Sequence, residues 1–291
     1  MGGGTTVVTG WGLLGQAVAK LAHDERRNVR VVGRSVVGDG RSWWRADLAR
    51  EPLSPDAMRD ADLLVHTAAM TSVIGCERDP DLARRVNADA TRSVVDAAFA
   101  RHVPVVYPST DWVFDGARGY YSEVDAIAPI NVYGSTKAQG EEYVLAHGGL
   151  IVRGSFVGAR PDRRRGLRET LAGRASPRVA RDRVSSPLWV GDYARALLQL
   201  AALDVSGVVH LGSASATTWE TFCRAARELL VGTPDILPAP PDEVPRPHDT
   251  SLDARRAERL LGWSMPDWED VCQSFAHEDA VRPTWSPSVA R

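Results

Sequence analysis

The chain has 291 residues, of which 44% are hydrophobic and 25% charged, and its formal net charge is -2. These values are typical of a globular protein and exclude a disordered chain, which combines low hydrophobicity with high net charge. The balanced charge also argues against nucleic acid or an anionic membrane surface as the main partner, because the chain offers no general basic field.

Cysteine and histidine usage indicates neither a disulfide framework nor a metal site. The cysteines Cys76, Cys223 and Cys272 lie far apart without metal-ligand spacing, and the histidines show no HxxxH or HxH pattern. The first ten residues resemble no targeting segment, and no stretch approaches the roughly 20 apolar residues of a membrane span. We therefore expect a cytoplasmic protein.

Short β-branched runs alternate with helical patterns in the first half of the chain, which is typical of a parallel sheet with crossover helices. The predicted strands are Thr5–Thr9, Val29–Gly33, Trp43–Ala46, Leu63–Thr67, Val103–Pro108 and Leu150–Arg153, and the helices between them cover 13–23, 81–101 and 133–146. This order predicts an α/β fold with a Rossmann-like, doubly wound parallel sheet.

The second half keeps less of this alternation. A helix is predicted over Trp189–Leu203 and a strand over Gly207–Leu211. The basic run between Arg160 and Arg168 is interpreted as a solvated loop, with binding of the diphosphate of a nucleotide-linked substrate as the alternative. We predict a Rossmann domain over 1–155, to which 187–212 returns. A smaller C-terminal substrate-binding region is expected over 156–186 and 213–291.

A glycine-rich turn follows the first strand directly and opens a helix. It reads Gly10-Trp11-Gly12-Leu13-Leu14-Gly15. Glycines in this context allow a tight turn and a close approach of the backbone to a pyrophosphate, and the helix N-terminus offers free N–H groups to the phosphates. The motif therefore predicts a dinucleotide site, which makes 1–155 the expected cofactor domain.

The end of the second strand indicates which dinucleotide is bound. NAD-binding folds carry an acidic residue there for the ribose 2'-hydroxyl, whereas this chain has Arg34 and Ser35. A guanidinium favours a phosphate, so NADP(H) is the predicted cofactor. Later strand ends predicted to line the same site carry Asp47, Leu48, Thr67, Ala68 and Ala69.

The main catalytic signal is a YxxxK pattern, Tyr133 and Lys137, at the start of a predicted helix. Residues four apart share one helical face, and a lysine ammonium beside a phenol is expected to lower the pKa of that phenol, which is near 10 when free. Thr110 follows a strand at the carboxyl edge of the sheet, where ligands of such folds bind. Together these three residues predict a catalytic set.

These motifs resemble the extended short-chain dehydrogenase/reductases, and within them the dTDP-4-dehydrorhamnose reductase group. The resemblance covers nearly the whole chain. The segments that carry it are Val8–Gly15, His66–Val73, Val86–Ala88, Ser109–Gly116, Asn131–Lys137, Arg246–Pro247 and Leu261–Trp263. The first loop is one residue shorter than is usual in this family and holds a bulky Trp11.

The resemblance implies an oxidoreductase that reduces the 4-keto group of a nucleotide-activated, dTDP-linked deoxysugar with NADPH. Tyr133 would donate the proton, Lys137 would assist it and hold the nicotinamide ribose, and Thr110 would orient the carbonyl. The implied substrate-binding residues are Thr71, Val73, Thr110, Asp111, Phe156 and Arg246. Trp112 stands where related dehydratases carry a second acidic residue, which favours a simple reductase.

Two alternatives stay open at the level of sequence. One is an epimerase or dehydratase of nucleotide sugars, which returns its hydride to the same molecule. The other is a non-catalytic, NADP-binding regulatory subunit, against which the intact set of Thr110, Tyr133 and Lys137 argues. A homodimer is also left open.

Overall fold

The computed structural model describes residues 4–34, 42–159 and 166–277. Its strands are β1 (Thr5–Thr9), β2 (Asn28–Gly33), β3 (Trp43–Arg45), β4 (Ala61–His66), β5 (Val105–Pro108), β6 (Leu150–Val157), β7 (Arg178–Val179), β8 (Val184–Ser185), β9 (Pro187–Trp189), β10 (Gly207–Leu211), β11 (Thr217–Thr218) and β12 (Leu237–Pro238). Its α-helices are α1 (Leu13–Asp24), α2 (Val73–Arg78), α3 (Pro80–Arg84), α4 (Ala90–Phe99), α5 (Val132–Ala146), α6 (Leu167–Leu171), α7 (Val190–Ala202), α8 (Trp219–Val231), α9 (Arg255–Leu261) and α10 (Trp268–His277).

A parallel sheet forms the centre of the molecule. Its strand order is β10-β6-β5-β4-β1-β2-β3, and β9 pairs with the end of β6. The chain moves outward from β1 in one direction through β2 and β3, and in the other through β4, β5 and β6. The predicted doubly wound, Rossmann-like α/β fold is therefore confirmed.

Alternation along the strands explains why both faces of the sheet are buried. Successive side chains of a strand point to opposite faces, and Val7 packs into one apolar cluster whereas Val8 packs into another. The Val7 cluster includes residues of α4 and α5, and the Val8 cluster includes residues of α1 and α7. Helices thus cover the sheet on both sides, which is what an all-parallel sheet requires.

Most of the predicted elements end within two residues of their predicted bounds, and two differ by more. The helix expected over 81–101 consists of α3, a π-helical turn at Arg85–Asp89 and α4. Strand β6 continues to Val157, four residues beyond its predicted end, because its last residues pair with β9. Each residue of β9 pairs with a β6 residue 32 positions earlier in the chain, so the local sequence carried no sign of it.

The later part of the chain contains short strand pairs and packed helices outside the main sheet. There β8 pairs with β11, β12 pairs with β7, and α8 packs against α10. Among the described residues, no helix combines the length and hydropathy needed to cross a membrane.

Candidate active site

The glycine-rich turn after β1 has two positions where a side chain cannot fit. Gly10 has a φ of 82°, and a Cβ there would lie 2.8 Å from the Cα of Ala68. A Cβ on Gly15 would collide with the carbonyl oxygen of Gly10 and lie 2.8 Å from the Thr67 hydroxyl. The turn is therefore packed directly against the residues that follow β4.

Gly12 differs from these two glycines, because a Cβ there would meet nothing within 4 Å. It is the N-cap of α1 and supplies no side-chain hydrogen bond to the first turn, so the N–H groups of Leu13 and Leu14 begin the helix without a side-chain cap. An uncapped helix N-terminus behind an open glycine offers donors and a positive dipole end to an anion. These residues fit the pyrophosphate of a dinucleotide.

The other predicted cofactor residues surround this turn. Trp11 packs edge-on against Trp43 of β3, with ring centroids 5.2 Å apart, and Arg34 is exposed directly after β2. Ser35 lies outside the described residues, as do the arginines of the predicted solvated loop up to 165.

The segment after β4 is hydrogen-bonded to the glycine turn, whereas the segment after β3 stabilises its own turn. The Thr67 hydroxyl donates to the Thr9 carbonyl over 2.6 Å, which ties β4 to the glycine turn and places Ala68 and Ala69 beside it. The Asp47 carboxylate accepts from the Ala49 N–H, 3.2 Å away, and pairs with Arg50. It therefore stabilises its own turn, and Leu48 packs against the core.

Thr110 and Asp111 lie just beyond the carboxyl end of β5. Thr110 caps a 3-10 turn over Asp111–Val113 by accepting from the Trp112 N–H. The Asp111 carboxylate is 2% exposed and accepts from the hydroxyls of Thr110, at 3.1 Å, and Thr250, at 2.6 Å. Burial raises the pKa of Asp111, and the hydrogen bonds from the two hydroxyls oppose this rise in part.

Helix α5 places Tyr133 and Lys137 beside Thr110. Its N-cap Asn131 accepts from the Gly134 N–H over 2.8 Å, and a Cβ on Gly134 would collide with the Trp112 carbonyl. The close approach of α5 to the 3-10 turn therefore requires glycine at this position. The Trp112 and Tyr133 rings lie edge to face with centroids 6.2 Å apart.

Lys137 is 3% exposed and has two well-defined contacts. Its Nζ donates to the Pro108 carbonyl over 2.9 Å and lies 3.8 Å from the centroid of the Tyr107 ring. Burial lowers the pKa of Lys137 to about 7, and the Glu141 carboxylate opposes this by raising it.

The prediction that Lys137 lowers the pKa of Tyr133 was wrong. Tyr133 is partly buried, and this desolvation raises the pKa of its phenol above the ordinary tyrosine value; the Thr110 hydroxyl offsets part of the rise and the Asp111 carboxylate adds to it. Burial disfavours the charged phenolate and so raises the pKa of Tyr133. Burial also disfavours the Lys137 ammonium, the charge that was expected to lower that pKa. Tyr133 is therefore held protonated at neutral pH.

Sequence reasoning missed a buried ionic network behind these residues. The Glu141 carboxylate accepts from the Ser109 hydroxyl over 2.5 Å and from Arg153 Nη2 over 2.6 Å. Glu141 follows Lys137 by one helical turn, and Ser109 precedes Thr110. The four-residue spacing of Tyr133, Lys137 and Glu141 was a visible signal, whereas the pairing with Arg153 on β6 required the fold.

A cavity of about 240 Å³ lies beside the catalytic set. Of the predicted substrate residues, Asp111 and Phe156 line it, together with Trp112, Arg183, Trp219 and Thr250. Thr71 is exposed and Val73 begins α2, and neither belongs to the described lining of this cavity.

Arg246 lies next to the cavity rather than in its lining. Its guanidinium is 5.6 Å from the centroid of the Trp112 ring, and its Nε is 2.7 Å from an Asp242 carboxylate oxygen. The Asn131 side chain donates to the Pro245 carbonyl over 3.2 Å. The start of α5 is thereby joined to the segment that carries Arg246.

The chain matches the family model described as RmlD substrate binding domain over residues 5–281. It belongs to this family. The resemblance to the extended short-chain dehydrogenase/reductases of the dTDP-4-dehydrorhamnose reductase group is therefore confirmed.

Curated relatives of this RmlD-family chain include two reductases. It is 34% identical over 226 residues to the probable low-salt glycan biosynthesis reductase Agl14 of Haloferax volcanii, covering 72% of this chain and 75% of that protein. It is 31% identical over 248 residues to a dTDP-4-dehydrorhamnose reductase of Sinorhizobium fredii, covering 77% and 83% of the two chains.

Solved structures show the same similarity. A dTDP-4-dehydrorhamnose reductase from Bacillus anthracis in complex with NADP superposes with a TM-score of 0.80 at 25% identity, covering 94% of this chain and 98% of that chain. The fold is thus shared over almost the full length of both proteins.

Proposed function

We propose that this chain is an NADPH-dependent reductase of the 4-keto group of a nucleotide-activated deoxysugar, with a dTDP-linked sugar as the expected substrate. The observation that carries the proposal is the convergence of Thr110, Tyr133 and Lys137 at the carboxyl edge of the sheet. This edge also carries the glycine turn that fits a dinucleotide. Relatives over most of the chain are reductases.

The cofactor residues have distinct roles in this proposal. Gly10 and Gly15 shape the turn, Gly12 leaves room for the pyrophosphate, and the first N–H groups of α1 donate to it. Arg34 binds the 2'-phosphate, since a guanidinium suits a phosphate and not a ribose hydroxyl. NADPH supplies the hydride when bound.

The chain's own residues handle the proton. Tyr133 donates its phenolic proton to the carbonyl oxygen of the substrate, and its raised pKa keeps that proton available at neutral pH. Thr110 orients the same oxygen with its hydroxyl. Once the proton leaves, a phenolate remains in a partly buried site, where the Lys137 ammonium stabilises it.

Lys137 therefore acts by stabilising the product of proton transfer and not by ionising Tyr133 beforehand. Its Nζ is fixed by the Pro108 carbonyl and the Tyr107 ring, one helical turn from Tyr133 on α5. The nicotinamide ribose is a second expected partner of this ammonium.

The substrate side of the proposal is the cavity lined by Trp112, Phe156 and Trp219. Apolar walls with few polar groups are typical of sites for small organic ligands. Asp111 is expected to contribute through the position of Thr110, given that hydroxyls of Thr110 and Thr250 already bind its carboxylate. We also propose a cytoplasmic location, with which three buried free cysteines agree.

The test is turnover with defined substrates. The purified chain is incubated with NADPH and a panel of dTDP-4-keto-6-deoxyhexoses, the loss of NADPH absorbance is followed, and the product is identified. Stoichiometric NADPH consumption with formation of the 4-hydroxy sugar is expected. Conversion of a nucleotide sugar without NADPH consumption would instead identify an epimerase or dehydratase, and no conversion with any substrate would favour a regulatory subunit.

A further inference from the structure

Arg183 precedes β8 at the side of the substrate cavity, on a backbone segment fixed at several points. The Trp219 N–H donates to the Arg183 carbonyl over 2.7 Å, and the Val184 N–H donates to the His248 carbonyl over 2.8 Å. The second of these bonds joins the Arg183 segment to the one that carries Arg246. Two arginines from distant parts of the sequence are thereby brought to one site.

The Arg183 guanidinium is not compensated in the way that its neighbour is. The buried Nε atoms of Arg183 and Arg246 both have no hydrogen-bond partner in the described part of the chain. Arg246 is nevertheless paired with the Asp242 carboxylate, 2.7 Å from its Nε, whereas Arg183 forms no ion pair with any described residue. Burial, and then the charge of Arg246, lower the pKa of Arg183, and the carboxylates of Asp242 and Asp182 oppose this only in part.

Such an arrangement is costly for folding. A buried donor without a partner loses its hydration and gains nothing in return, and a second positive charge nearby adds repulsion. Costs of this kind are retained where a ligand supplies the missing partner, which is why perturbed groups concentrate at functional sites. An anion would supply that partner and would also offset the repulsion between the two guanidiniums.

The surroundings indicate which anion it is. Arg183 lines the cavity together with Trp112, Phe156 and Trp219, and the Arg246 guanidinium lies over the ring of the same Trp112 that contacts Tyr133. Arg246 is thus one aromatic ring away from the catalytic phenol, and Arg183 faces the cavity that this ring lines. A ligand that fits carries a group with more than one negative charge a short distance from its reacting carbon, and has flat or apolar parts.

We propose that Arg183 is a substrate-binding residue that, with Arg246, holds the diphosphate of a nucleotide-linked substrate. This inference rests on the proposed function for the identity of the substrate. Arg183 supplies the charge-assisted hydrogen bonds and Arg246, oriented by Asp242 and Trp112, supplies the second fork. Binding relieves the repulsion between the two arginines, so substrate affinity and fold stability are coupled through Arg183.

The test uses dTDP as a probe, so that binding is measured without the reaction. Affinities of wild type and Arg183→Gln for dTDP, thymidine and NADPH are compared by titration calorimetry, and thermal unfolding is measured with and without dTDP. Arg181→Gln is the matched control, because Arg181 lies two residues earlier, is exposed and pairs with Glu220 at 3.7 Å.

Arg183→Gln is expected to weaken dTDP binding by about ten- to a hundredfold, the range of lost hydrogen bonds to charged groups. Its affinities for thymidine and NADPH should not change. The melting temperature of the free variant should equal or exceed that of wild type, because an unfavourable charge is gone, while the stabilisation by dTDP should shrink. Arg181→Gln should behave as wild type throughout.

Other outcomes overturn the proposal. Unchanged dTDP affinity removes Arg183 from the site, and equal losses for dTDP and thymidine place it on the nucleoside. A lower melting temperature together with weaker NADPH binding makes Arg183 a structural residue. If dTDP binds through Arg183 but no 4-keto sugar is reduced, the diphosphate site stands and the proposed function does not.

Discussion

Buried charges are compensated differently in two regions of the molecule. One is the catalytic edge, the carboxyl edge of the sheet beside which Thr110, Tyr133 and Lys137 lie, and the other is the substrate cavity. Behind the catalytic edge, Glu141 is bound by Arg153 and Ser109, and Lys137 is held by the Pro108 carbonyl. Arg153 Nη1 and Arg183 Nε are both buried without a hydrogen-bond partner in the described chain, but Arg153 is paired with Glu141 at 2.6 Å and Arg183 forms no ion pair with any described residue. The first region is therefore compensated without a ligand, whereas on our proposal a ligand compensates the second.

This difference follows from the two tasks. Proton transfer needs groups fixed in place beforehand, because reorganisation during the reaction adds to the barrier. Recognition of a charged ligand needs donors that are free to bind it. Loss of the Tyr133 hydroxyl should therefore change turnover with little change in binding, and variants at ligand-binding donors should do the reverse.

The largest expected effect is that of Tyr133→Phe. This change removes the phenol hydroxyl and keeps the ring that contacts Trp112, so folding and NADPH affinity should change little. Turnover should fall by about 10²- to 10⁴-fold, the usual contribution of a positioned acid. Steady-state kinetics with the authentic substrate, together with NADPH titration, provides the check; near wild-type turnover would mean that the proton comes from another group.

Arg34→Ala tests whether a phosphate is recognised at the end of β2. The exposed guanidinium can be removed without disturbing a packed region, so the preference for NADPH over NADH should drop by about ten- to a hundredfold while turnover at saturation is retained. Affinities for both cofactors are measured by titration. Equal affinities in the wild type would contradict the assignment of NADP(H).

Two variants of the glycine turn distinguish cofactor binding from packing: Gly12→Ala tests the space for the pyrophosphate, and Gly15→Ala tests the packing of the turn. A methyl on Gly12 meets nothing in the protein, whereas one on Gly15 collides with the Gly10 carbonyl. Gly12→Ala should keep its melting temperature and bind NADPH about tenfold more weakly, since the methyl occupies the approach of the pyrophosphate. Gly15→Ala should lose about 1–3 kcal/mol of unfolding free energy, and the opposite pattern in thermal melts would invalidate this division.

The extent to which the sequence predicts these regions depends on how local their interactions are. The strands around β1, the glycine turn and the Tyr133–Lys137 spacing are each contained in a short stretch, and they were predicted within a few residues of their observed bounds. The end of β6 depends on pairing with β9, which no local pattern reveals. Likewise, the Glu141–Arg153 pair and the approach of Arg183 to Arg246 arise only when distant segments meet.

The sign of the Tyr133 pKa shift was missed for a related reason. Spacing shows that a lysine shares a helical face with a tyrosine, but it does not show how deeply either is buried. The structure adds that depth, and desolvation then outweighs the neighbouring charge.

The smallest effect concerns the pH dependence of turnover. If the Lys137 ammonium stabilises the phenolate, turnover should fall as the pH rises through about 7, where Lys137 loses its proton. The Tyr133 phenol, whose pKa is raised, keeps its proton through this range. This pH limb should disappear in Lys137→Met, together with most of the activity.

Glu141→Gln should move that limb to lower pH. The Glu141 carboxylate raises the pKa of Lys137, so its neutralisation removes an opposing charge and leaves the Arg153 guanidinium to disfavour the ammonium further; a shift on the order of one pH unit is expected. Ser109→Ala is the matched control, since it removes a hydrogen bond to Glu141 but no charge, and its limb should stay near that of wild type. Thermal melts at each pH confirm that the variants are folded, because Arg153 loses its buried partner in Glu141→Gln. If the limb lies at the same pH in wild type and Glu141→Gln, Lys137 does not set it. The titration that causes the loss of turnover would then belong to another group.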